Sequence, residues 1–266
     1  MTLNHIDFYL INQDFNLLTQ MEEIGFTGNL FPYNPLRSDF FTKIARDLDI
    51  HKKIKYMVAI RPYVLSPEYL VKIDKSIKEI SKENRLQINL VSGNKVFTEQ
   101  KMSKILGPTT NKSNTKEKSN HFIEYIDLLN QIPQEEKPDY YVSVTNNFTF
   151  ETASKYNDKI IIPYHQYVNN QYNISDKQIL DKQVMMYFKP IIRKTQEELD
   201  NLNGYEGVIE IPSEYVKFTY DQLTIIIDKL RSKGITQIMF SAWFSIWNKK
   251  DIKEILNFVK EYNHKI

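Results

Sequence analysis

Short apolar runs and amphipathic stretches alternate along the whole chain. The runs are "HIDFYLI" (5–11), "NLFPY" (29–33), "KYMVAIRP" (55–62), "RLQINLVS" (85–92), "DYYVSVT" (139–145), "KIIIPYH" (159–165), "MMYFKPIIR" (185–193) and "QIMFSA" (237–242). Most are apolar without a regular polar alternate. That is the pattern of parallel strands buried on both faces, not of a sheet with one wet side. Between them, "SPEYLVKIDKSIKEISKENR" sets Leu70, Ile73, Ile77 and Ile80 at spacings of three and four, behind a serine cap and a proline in the first turn. "TYDQLTIIIDKLRSKG" stops at Gly234, the residue type favoured just past a helix end. "KKDIKEILNFVKEYN" is amphipathic.

Eight strands, each followed by a helix, is the count for a closed (β/α)8 barrel, and 266 residues suits one such domain. An open doubly wound sheet shares the alternation and is the alternative. Two stretches break the rhythm. Residues 95–118 are polar and lysine-rich and read as a long mobile loop after the fourth strand. Residues 203–218 read as an inserted hairpin or extended loop after the seventh. No repeat or linker divides the chain, so 1–266 reads as a single barrel domain.

Barrel enzymes carry their chemistry at the C-terminal ends of the strands. Arg61 follows the apolar run Met57–Ile60 at such an end, placed either to hold a ligand or to pair with a carboxylate of a neighbouring strand. His165 stands at the end of the sixth run, where an imidazole could act as a general acid or base or simply pack. Lys189 also lies on a predicted strand; pointing inward it needs an anion, pointing outward it snorkels. The five histidines form no HxH, HxxxH or HExxH spacing, so no metal site is expected. With no cysteine, disulfides, thiolate metal sites and cysteine nucleophiles are excluded. A net charge of +2 gives no reason to expect a nucleic-acid partner, and the lysines around 101–118 lack an aromatic stacking platform. No apolar run approaches the length of a membrane span and no signal-peptide layout opens the chain. The expectation is a soluble cytoplasmic protein. Walker and Rossmann glycine patterns are absent.

The stretch 25–94 is more specific. It contains Gly25 to Gly28 ("GFTG"), Ala59 to Pro62 ("AIRP"), Ser66–Pro67, Ser81 to Leu86 ("SKENRL") and Ile88 to Gly93 ("INLVSG"). In this order they resemble the bacterial luciferase-like, flavin-dependent monooxygenases, most closely the alkanesulfonate branch. Fainter likenesses continue at 140–158, 186–199 and 234–242. The resemblance implies a (β/α)8 barrel that binds reduced FMN at its C-terminal mouth and uses oxygen to oxidise an aldehyde, alkane or sulfonate. It sets the flavin against Asp39, Ala59, Asn89, Ser92, Thr145 and Asn146, with Thr145 and Asn146 at the phosphate. A helix N-terminus there would help, although a Thr-Asn pair is also an ordinary cap.

The same resemblance marks departures. The branch's cysteine falls on Arg37; its seventh-strand arginine and histidine fall on Tyr187 and Lys189; its late tyrosine and histidine fall on Trp243 and Ser245. The candidate catalytic set is therefore Arg61, His165, Tyr187, Lys189 and Trp243. Without a nicotinamide fingerprint, a separate flavin reductase is implied as partner, and the aromatic-rich helices are compatible with a homodimer. The alternatives are a barrel that binds flavin or a partner without turnover, and a deazaflavin-dependent reductase.

Overall fold

The computed structural model describes residues 5–32, 39–62, 65–92, 115–171, 181–202, 215–241 and 249–265, with the side chains of 115–119 and 249 excepted. Strands β1 (Asp7–Ile11), β2 (Gly28–Pro32), β3 (Lys55–Ile60), β4 (Leu86–Leu90), β5 (Tyr140–Ser143), β6 (Lys159–Pro163), β7 (Gln183–Phe188) and β10 (Gln237–Ser241) close a barrel in the order β1-β10-β7-β6-β5-β4-β3-β2. The resolved pairings are parallel. Outside the barrel, β8 (Pro190–Arg193) pairs in parallel with β9 (Val216–Thr219). The helices are α1 (Leu18–Ile24), α2 (Phe40–Asp47), α3 (Pro67–Ser81), α4 (Thr115–Gln131), α5 (Asn147–Tyr156), α6 (Tyr164–Val168), α7 (Gln196–Asp200), α8 (Tyr220–Ser232) and α9 (Lys249–Lys265). The continuous apolar runs thus become the barrel expected of them, and the open-sheet alternative falls.

Residues Phe31–Ile160 pack as one compact unit. Tyr56 on β3 lies beside Phe31, and its hydroxyl donates to Asp47 Oδ2 of α2 at 2.9 Å. Arg85, the arginine of "SKENRL", is buried; it donates to the carbonyls of Ile54 and Leu48 and lies 5.2 Å from the Tyr56 ring. That motif therefore secures the entry of β4, not a ligand. Ser66 caps α3 by accepting from the Tyr69 amide, with Pro67 in the first turn. The buried stripe of α3 is Leu70, Asp74 and Ile77, whereas Ile80 is 47% exposed.

Residues Met1–Leu30 and Ile161–Ile266 pack as the other unit. Its core contains a layer of rings. Phe8 stacks on Phe240 and meets Tyr262 edge-on; Phe188 touches Phe240, Phe218 and Tyr164; Tyr220 meets Phe258 edge-on. Each fully buried ring contributes about 1.5–3 kcal/mol of transfer free energy, and edge-on or offset contacts add to that. Gly25 ends α1 at φ 95°, and a Cβ there would lie 3.0 Å from Asn263 Nδ2, which donates to the Ile24 carbonyl. The first glycine of "GFTG" is accordingly a packing requirement.

Four stretches differ from the sequence expectation. The run 185–193 is two strands, because Pro190 has no amide to donate and the chain leaves the barrel at Lys189. The end of the 203–218 stretch is no hairpin arm: Val216–Thr219 pairs in parallel with β8, while 203–214 lie outside the described residues. The sixth strand stops at Pro163, so His165 belongs to α6. Of the polar stretch 95–118, residues 95–114 lie outside the described residues and 115–118 open α4.

Candidate functional site

Strand alternation decides which side chains enter the barrel. Tyr56 engages α2, so its alternates Met57, Ala59 and Arg61 face inward. Ala59 is in register with Asn89 on β4, and Asn89 with Tyr141 on β5. Tyr140 turns outward, its hydroxyl donating to Asn130 of α4 at 2.9 Å, which leaves Tyr141, Ser143 and Thr145 on the inner face. Side chains from the ends of three consecutive strands therefore meet on one surface.

Asn89 is 5% exposed. Ser143 Oγ donates to its Oδ1 at 2.8 Å, and among the described residues Nδ2 has no acceptor. Ser92 Oγ and Thr145 Oγ1 lie 3.5 Å apart at the same end. Beside them begins α5, closed by a reciprocal capping box: Asn146 Oδ1 accepts from the Thr149 amide, and Thr149 Oγ1 accepts from the amides of Thr145 and Asn146. The first-turn amides of Asn147 and Phe148 have no partner among the described residues, and they carry the positive end of the helix dipole. Asn146 is thus a cap first, with Nδ2 its remaining donor.

Arg61 is half-buried, one residue past the end of β3, as its position in the sequence anticipates. Ala59 is half-buried on β3. Asp39 is exposed and caps α2, its Oδ2 accepting from the Thr42 amide at 2.8 Å and the Thr42 hydroxyl at 2.7 Å. A carboxylate spent on a helix cap is a poor candidate for flavin contact.

In the other unit, Phe188 packs against Phe240, which in turn meets Phe258 of α9. Its neighbours Tyr187 and Lys189 therefore face the barrel side, both half-buried. Lys189 is in the break between β7 and β8, with its ammonium 5.5 Å over the Tyr215 ring. His165 is half-buried in α6, next to Tyr164, which stacks on Phe188 at 4.4 Å. Burial raises the Tyr164 phenol above the ordinary tyrosine range, keeping it neutral. Trp243 and Arg37 lie outside the described residues. Among the described residues no group of three His, Asp or Glu side chains could hold a metal. No described helix is long and apolar enough to cross a membrane.

Ser143 is the residue that sequence reading passed over. Its signal was present: in "YYVSVT" the polar positions 143 and 145 share a side with Tyr141. A cavity of about 500 Å³ at the opposite, N-terminal end of β5 and β6 is lined by Lys78, Asn130, Asp139, Tyr140 and Lys159. Its polar groups bond one another. Lys159 pairs with Asp139, Gln87 donates to Asp139 Oδ2 at 2.9 Å, and Asn130 donates to the Tyr156 carbonyl at 2.8 Å. That end of the unit is a structural lock.

No family model matches the chain, and no curated protein matches it in sequence. Solved structures do match in fold. A long-chain alkane monooxygenase (LadA) has a TM-score of 0.70 at 11% identity, over 100% of this chain and 92% of its own. A riboflavin lyase (RcaE), solved with modified FMN and riboflavin, has 0.71 at 10%, over 98% and 92%. A coenzyme F420-dependent tetrahydromethanopterin reductase from Methanopyrus kandleri has 0.63 at 12%, over 97% and 98%. At such identities the likeness establishes the (β/α)8 barrel fold and nothing narrower.

Proposed function

We propose that the chain is a flavin-dependent oxidoreductase, most simply a monooxygenase that uses reduced FMN and oxygen on a small organic substrate. One observation carries this reading: an inward Asn89 carboxamide stands beside two hydroxyls and two first-turn amides, and among the described residues its N–H donors and those amides have no acceptor. That donor set suits a planar ring bearing carbonyl oxygens, with a phosphate at its end. Asn89 would meet the ring edge. Ser92, Thr145 and the amides of Asn147 and Phe148 would meet the phosphate, with Asn146 Nδ2 within the same group. When bound, a reduced flavin supplies the electrons that oxygen insertion requires. Arg61 stands where a barrel enzyme meets its substrate, and its planar, permanently charged guanidinium suits an anionic group. Within the other unit, Tyr187 and Lys189 stand at the end of β7 and His165 just past β6, and a ligand-contacting role is proposed for them separately. Solved structures of the same fold named as an alkane monooxygenase, an EDTA monooxygenase and an F420-dependent reductase support flavin or deazaflavin chemistry in general. A separate flavin reductase would deliver the reduced cofactor.

The test compares FMN with riboflavin. The account expects FMN to bind more tightly. Ser92→Ala with Thr145→Ala, which leaves the Asn146 cap intact, is expected to remove most of that preference, each lost charge-assisted bond costing about 1.5–3 kcal/mol. Equal affinity for the two flavins in the parent protein would show that no phosphate site operates. A second reading, a deazaflavin-dependent reductase, is favoured by the near full-length match to the F420-dependent enzyme. It predicts binding of a deazaflavin and none of FMN.

A further inference from the structure

We infer that the barrel floor of the Phe31–Ile160 unit carries a binding site for an internal water, anchored on the side-chain oxygen of Gln87. The inference stands apart from the flavin reading. Gln87 and Asn89 lie on the inner face of β4, because Ile88 between them is in register with the outward Tyr140. Gln87 is 2% exposed. Its Nε2 donates to Asp139 Oδ2 at 2.9 Å, and Asp139 is paired with Lys159. A carboxylate only accepts, so this contact fixes which way the carboxamide is turned. The N–H side meets Asp139, and the carbonyl oxygen Oε1 is left over. Oε1 is buried and no described residue donates to it. A buried acceptor without a donor is costly, and in folded proteins such an atom is generally met by ordered water.

The surroundings select water over other occupants. Met57, the register partner of Gln87 on β3, offers no polar hydrogen. Lys55, two residues below Met57, shares the inner face and is half-buried. Strand spacing and rise put the Lys55 and Gln87 Cα atoms about 8 Å apart, a span that two long side chains bridge through a water. A water there donates to Gln87 Oε1 and accepts from the Lys55 ammonium. A cation is repelled by Lys55, and an anion has only lone pairs to set against Oε1. An entry path exists as well. Asp139 and Lys159 line the cavity at the N-terminal end of β5 and β6, so a single side chain separates that cavity from the acceptor. The bound water ties β3 to β4 at the floor, two residues below Ala59 and Asn89.

A high-resolution crystal structure of the full chain tests this directly. A water oxygen is expected within hydrogen-bonding distance of Gln87 Oε1. Oε1 packed against carbon with no water, or bonded to a protein donor, overturns the inference. Oxygen-17 relaxation dispersion gives an answer in solution, by counting long-lived internal waters in the parent protein and in Gln87→Met. Methionine keeps the length of the side chain and removes the acceptor. The parent should hold one more such water than the variant, and equal counts overturn the inference. Both samples are free of flavin, so neither outcome bears on the flavin reading. If Gln87→Met does not fold, the parent crystal alone decides.

Discussion

Asp74 occupies a position that helical spacing reserves for an aliphatic side chain. It lies between Leu70 and Ile77 on the buried stripe of α3 and is fully buried, with Lys78 one turn on as its ion-pair partner. Burial raises its carboxyl above the ordinary 3.8; Lys78 pulls the other way and nearby Asp139 adds to the rise. The native state therefore binds this proton more tightly than the unfolded chain does. The stability it contributes is complete below the ordinary carboxylate pKa and is lost as pH rises through the raised one. Asp74→Asn is expected to be more stable than the parent at pH 7 by about 1 kcal/mol, with the advantage shrinking towards pH 4. Melting curves at the two pH values check this; a variant less stable at pH 7 would show that the Lys78 pair outweighs desolvation. Arg61→Met makes a complementary test. If the arginine serves a ligand, its replacement should leave the melting temperature nearly unchanged and cost roughly 1.5–3 kcal/mol of ligand binding; a structural arginine would show the reverse. At this scale the family resemblance is what singled out Asn89, and the strand register sets it beside Ala59 on the inner face. The sequence was not legible where a charge replaces an apolar residue, because Ile73 and Ile80 complete the same spacing and nothing local distinguishes Asp74 as the one turned inward.

Element ends follow their local chemistry closely. Ser66, Asn146, Thr195 and Thr219 each cap the helix that follows, and Gly25 and Gly234 take the left-handed backbone beyond α1 and α8. The end of β7 follows a long-range rule instead. Residues 185–193 read as one strand because they are apolar throughout, but Pro190 cannot extend the ladder, and β8 finds its partner 26 positions on, at β9. No short-range pattern announces that pairing. Arg193, 2% exposed, ties β8 to α9: it donates to Asp251 Oδ1 at 2.8 Å and to the Ile192 carbonyl at 2.7 Å. Asp251→Ala leaves that guanidinium buried without its carboxylate and is expected to cost about 3–5 kcal/mol. Replacing both residues with Leu and Met should cost much less. Denaturant unfolding of the two variants measures the difference, and equal losses would place the energy outside the ion pair.

Taken whole, the molecule shows how far a sequence carries. The barrel was legible because parallel strands covered on both faces must be continuously apolar, a signal that survives where identity to proteins of the same fold is near 10%. The site was legible in part. Residues at strand ends and an Asn146 cap could be named, but the bond between Ser143 and Asn89 joins two strands and no spacing determines it. The central claim is that the C-terminal ends of β4 and β5 hold a flavin. A crystal structure of the chain grown with reduced FMN under anaerobic conditions tests it most directly. The account predicts the ring edge within hydrogen-bonding distance of Asn89 Nδ2 and the phosphate on the Ser92 and Thr145 hydroxyls. Flavin in the polar cavity at the N-terminal end of β5 and β6, or absent from the crystal at saturating concentration, would contradict it.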